Sequence, residues 1–82
     1  MNWKTYIISD PSILVGKPVI KGTRLSVDFI LNLLSNGWTE EQLLKNYPYL
    51  TKEALQAIFA FVLDCMREEK VYDIPKEITA GN

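Results

Sequence analysis

Hydrophobic positions change their period about a third of the way along the chain. Residues 5–8, Thr-Tyr-Ile-Ile, are β-branched or aromatic and predict a short strand. Ser9-Asp10-Pro11-Ser12 is a turn cluster, and Pro11 biases Asp10 away from helical angles. Leu14-Val15 and Pro18-Val19-Ile20 flank Gly16-Lys17 and predict a second extended piece; Lys21-Gly22-Thr23 predicts another turn. The first third therefore reads as a small β-hairpin or extended arm.

From Ser26 onward the spacing becomes helical. Ser26 suits an N-cap, with Asp28 in the first turn and Val27, Phe29, Ile30, Leu31, Leu33 and Leu34 supplying an apolar face. Gly37 is placed to stop this helix with a left-handed residue. Thr39-Glu40-Glu41-Gln42 is a capping-box pattern, with Trp38 before it and Leu43 after it as a hydrophobic staple. That second helix should end near Asn46-Tyr47, because Pro48 disfavours helical angles in the residue before it. Thr51 caps a third helix that should run to about Glu69. The fold class is mainly α: a hairpin or arm, then a three-helix core in a helix-turn-helix layout over 1–69, and an extended or flexible tail over 70–82.

The third helix carries most of the functional argument. At 100° per residue, Leu55, Ile58, Val62, Cys65 and Met66 share one arc, widened by Phe59 and Leu63 on one side and by Ala57 and Phe61 on the other. The arc spans roughly 240°, against the ~100° a surface helix needs. A small domain has little material to cover it, which predicts association with a second copy or another protein. Candidate interface residues are Leu55, Ile58, Phe59, Phe61, Val62, Leu63 and Met66, joined in the tail by Tyr72, Ile74 and Ile78.

Composition narrows the chemistry. The chain has 82 residues, one cysteine and no histidine. That excludes an internal disulfide, a His/Cys zinc site and any Ser-His-Asp or Cys-His arrangement within the chain. No catalytic, metal or cofactor site is expected, and Cys65 reads as a core residue. No stretch is long and apolar enough for a membrane span, no signal peptide is visible, and a lone thiol suits a reducing cytoplasm.

The net charge is −1, divided as +2 over residues 1–35 and −3 over 36–82. This is not the balance of a strong nucleic-acid binder. Lys21, Arg24, Lys45, Lys52 and Gln56 are the candidate DNA contacts, but Glu40, Glu41 and Glu53 lie among them and oppose phosphates. In the run Gly16-Lys17-Pro18-Val19-Ile20-Lys21-Gly22-Thr23-Arg24, the glycines suit turns needing unusual φ. Arg24 serves equally well as a structural hydrogen-bond donor or as a partner contact.

That run, continuing through Leu25-Ser26-Val27, Ile30-Leu31, Leu33-Leu34, Gly37, Thr39-Glu40-Glu41, Tyr47-Pro48, Leu50-Thr51 and Ala54-Leu55, resembles the domain of unknown function 433 family over residues 4–66. The resemblance implies a homeodomain-like three-helix core behind a short β-arm. It also implies an antitoxin-type role beside a PIN-like ribonuclease. Leu25-Ser26 replaces the isoleucine and proline common at that point in the family. The expectation is a non-enzymatic, dimeric antitoxin-type protein that binds a PIN-like toxin; the alternative is a helix-turn-helix DNA-binding regulator.

Overall fold

A computed structural model describes residues 1–68. A short 3-10 turn at Trp3–Thr5 leads into strand β1 (Ile7–Ser9), which pairs antiparallel with β2 (Pro18–Ile20). Ile7 faces Ile20 across the ladder, and Ser9 faces Pro18 at the end next to the connecting loop, where the missing proline N–H costs nothing. Three helices follow: α1 (Val27–Ser35), α2 (Glu40–Asn46) and α3 (Lys52–Arg67). The molecule is thus mainly helical, with a hairpin ahead of three helices, as expected. The tail residues lie outside the described residues.

Side chains set each helix boundary. The hydroxyls of Ser26, Thr39 and Thr51 accept from the backbone N–H groups of Phe29, Gln42 and Ala54. The Thr39 N–H donates back to Gln42 Oε1 at 2.8 Å, completing the capping box. At the end of α1 the Trp38 N–H donates to the Leu33 carbonyl and the Gly37 N–H to that of Leu34. Gly37 has φ 97°, so this is a Schellman stop, and only glycine enters it without strain. Trp38 then packs against the cluster that holds Leu43. Ser26 is also buried, so Ser26→Ala should lower stability by about 1–2 kcal/mol in urea unfolding; no change would mean the cap is dispensable.

The core lies where the hairpin, α1 and α2 meet the first half of α3. Val19, Ile30, Leu43, Leu55 and Ile58 are fully buried, with Ile7, Ile20, Val27, Leu50, Ala54 and Ala57 around them. Trp3 ties the chain start further along α3: its ring meets Phe61 edge-on at 4.8 Å, and its indole N–H donates to Asp64 Oδ2 at 2.6 Å.

One segment departs from the expected extended piece. Leu14 and Val15 have φ 51° and 58°, followed by Gly16 at 81°, so three residues in a row are left-handed. A β-branched residue rarely adopts that conformation, and Val15 is 94% exposed, so no burial offsets the cost. Val15→Gly should therefore raise stability by about 0.5–1 kcal/mol, since the relieved strain exceeds glycine's extra chain entropy. A lower melting temperature for that variant would contradict this assignment.

Candidate interaction surface

Helix α3 is unevenly covered along its length. Its first half contributes Ala54, Leu55, Ala57 and Ile58 to the core. Beyond that point Phe61 and Val62 are half-buried, while Phe59, Leu63 and Met66 are 48%, 46% and 63% exposed. Phe59, Val62, Leu63 and Met66 lie three and four residues apart, so they form one stripe on the helix surface. The cause is geometric. At 1.5 Å per residue α3 is about 24 Å long, whereas the seven residues of α2 reach about 10 Å and the nine of α1 about 14 Å.

This corrects the sequence-based surface in two places. Leu55 and Ile58 are 1% and 0% exposed and belong to the core, so they are not available to a partner. Cys65, expected in the core, is exposed, because the apolar arc outruns its cover before reaching it. Phe61 is engaged by Trp3, a contact across 58 residues that periodicity does not reveal. Tyr72, Ile74 and Ile78 lie outside the described residues.

A second surface surrounds the turn after β2. The Thr23 N–H donates to the Ile20 carbonyl at 3.0 Å, and Gly22 at φ 83° occupies the position where such a turn requires a left-handed residue. The Thr23 hydroxyl donates to the same carbonyl and accepts from the Leu25 N–H. Gly22 and Thr23 thus hold the turn, and Arg24 projects from it. Arg24 is exposed and forms no ion pair among the described residues. It stands between two adjoining hollows of about 620 and 690 Å³. Tyr47, Pro48 and Tyr49 wall the first, and Leu14, Val15 and Phe29 wall the second. The nearby Lys17 is linked to Asp28 at 3.4 Å, a solvent-exposed pair worth little in itself.

The remaining candidate polar contacts are dispersed. Lys21, Lys45, Lys52 and Gln56 are exposed, with Lys52 and Gln56 one turn apart at the start of α3. Lys21 lines a shallow hollow together with Tyr49, Thr51 and Ala54, so the turn after β2 sits beside that helix start. Glu53 is exposed between Lys52 and Gln56, and Glu40 and Glu41 are exposed at the start of α2. Hydrogen bonds from the Ser12 backbone and hydroxyl hold the Asp10 carboxyl below its ordinary value. No helix among the described residues is long and apolar enough to cross a membrane.

No curated protein matches the chain. The crystal structure of a DUF433 member protein from Anabaena variabilis ATCC 29413 is similar, with a TM-score of 0.68 and 31% identity over 71% of this chain. The match spans 57% of that protein's chain. The family model described as protein of unknown function (DUF433) matches residues 7–62, which take in the hairpin, α1, α2 and the first two-thirds of α3. The chain therefore belongs to the DUF433 family of proteins of unknown function.

Proposed function

We propose that this chain is a non-enzymatic association module of the antitoxin type, which forms a homodimer through the distal half of α3 and binds a PIN-like ribonuclease. The observation that carries the reading is the exposed stripe of Phe59, Leu63 and Met66 beside half-buried Val62. Single exposed apolar side chains are ordinary on a protein surface, but a continuous stripe along one helix marks an interaction face. The sequence supplies no histidine, the side chain most often used for acid–base work near neutral pH. The nuclease partner comes from the family resemblance, and the spaced apolar residues Tyr72, Ile74 and Ile78 are its proposed contacts. The exposed thiol of Cys65 suits a reducing cytoplasm.

The test is co-expression with a PIN-like ribonuclease encoded beside the gene. The full chain should retain the nuclease on an affinity column and suppress its activity, and a chain ending at residue 69 should not. Failure of the full chain to retain it would remove the nuclease from the reading.

The exposed Lys52 and Gln56 at the start of α3 support a second reading, a DNA-binding regulator with added backbone contacts from Lys21, Arg24 and Lys45. Glu53 between them and the acidic first turn of α2, Glu40 and Glu41, weaken it. Under this reading, binding to the chain's own promoter falls steeply between low and moderate salt. No mobility shift at low salt would rule it out.

A further inference from the structure

We propose that, in the nuclease-free dimer, the segment Val71–Pro75 of one copy docks on the Arg24 surface of the other, with Asp73 paired to Arg24. This rests on the α3 dimer proposed above and adds what occupies its second surface.

Three considerations lead there. The first is size. Phe59, Leu63 and Met66 are about half exposed, and such side chains offer on the order of 100 Å² each, or about 300 Å² per copy. A stable interface buries about 800 Å² per partner, so the stripe alone falls well short. More contact must come from elsewhere, and the two adjoining Arg24 hollows, of about 620 and 690 Å³ with mainly apolar walls, offer it.

The second is chemical match. The surface offers an exposed guanidinium between apolar walls, with Tyr49 82% exposed on one side and Phe29 partly exposed on the other. The tail reads Val71-Tyr72-Asp73-Ile74-Pro75, an acid between an aromatic and an aliphatic residue, with Pro75 favouring an extended backbone before it. A guanidinium takes a carboxylate in a two-point fork, and its apolar neighbours take the flanking side chains.

The third is reach, which decides between a copy's own tail and its partner's. Trp3 lies against the far part of α3, at Phe61 and Asp64, whereas Lys21 and Tyr49 lie at its start. Arg24 shares its first hollow with Tyr47, Pro48 and Tyr49, so it sits near the start of α3. From Arg67 back to Lys52 is fifteen residues, about 22 Å along the axis. Asp73 follows Arg67 by six residues, which span at most about 20–22 Å fully extended. A copy's own Asp73 therefore gets no further than the level of Lys52, and only with all six residues fully extended straight back along the helix, which leaves nothing for the reversal of the chain or the sideways path to the hollow. In an antiparallel pair centred between Val62 and Leu63, Phe59 meets the partner's Met66, a favourable aromatic–sulfur contact. The partner's Arg67 then lies level with Ile58, about 9 Å along the axis from Lys52, so more than half of the extended reach of the six residues to its Asp73 is left for crossing to the Arg24 surface. The antiparallel arrangement also opposes the helix dipoles.

Charge reversal in the full chain tests this, with dimer dissociation measured by analytical ultracentrifugation. Arg24→Asp and Asp73→Arg should each weaken the dimer about tenfold, and the double reversal should recover most of the loss. Arg24→Cys/Asp73→Cys in a Cys65→Ser background should cross-link two copies on oxidation. A dimer that ignores both single reversals, or a cross-link closed within one copy, would overturn the docking while leaving the α3 dimer intact. A wild-type chain that never dimerises would overturn both.

Discussion

Replacing Ile58 with alanine is expected to cost about 3 kcal/mol of folding stability, within the 2–5 kcal/mol range of such truncations. Ile58 has no exposed surface and belongs to the cluster with Ile30, Leu43 and Leu55, where hairpin and helices converge. The cavity left behind has rigid walls on several elements and cannot collapse cheaply. For a domain of 82 residues, with a total stability of order 4–12 kcal/mol, that loss leaves a fraction of the chain unfolded at moderate temperature. Urea unfolding monitored by tryptophan fluorescence measures it. A loss under about 1 kcal/mol would mean that the side chain is not packed as described. Met66→Ala, eight residues further along the same helix, should change the monomer's stability by less than about 0.5 kcal/mol.

The second large effect is on association. Leu63→Glu should leave the monomer's melting curve nearly unchanged and should abolish dimerisation at micromolar concentration. Leu63 is 46% exposed at the middle of the stripe, so a carboxylate there meets water in the monomer but apolar side chains in the dimer. Truncation at the centre of such an interface typically costs 2–4 kcal/mol, and a two-fold axis repeats the lesion. Light scattering and circular dichroism on the same sample separate the two effects. An unchanged mass would place the interface elsewhere, and a collapsed melting curve would assign Leu63 to the core.

The helix boundaries were legible because polar side chains encode them. Ser26, Thr39, Thr51 and Gly37 each do a chemical task that other residues do poorly, and the structure uses all four as read. The burial of α3 was legible only in part. A helical wheel resolves angle but not height, so it grouped Leu55 and Ile58 with Met66 and Cys65, although the cover ends between them. Which half would be covered depends on the short lengths of α1 and α2 and on Trp3 reaching Asp64 from the other end of the sequence. The left-handed Leu14-Val15 turn was invisible for the opposite reason: local propensity argues against it, and the closure between β1 and β2 imposes it. Gly22 and Thr23 hold the turn without a side-chain hydrogen bond from Arg24 among the described residues.

The central proposal is that the apolar distal half of α3 pairs with a second copy of the chain. The mass of the wild-type chain in dilute solution is the sharpest test. Light scattering at micromolar concentration should give twice the 9.4 kDa of one chain, with dissociation on further dilution. A single-chain mass across the whole concentration range would contradict it.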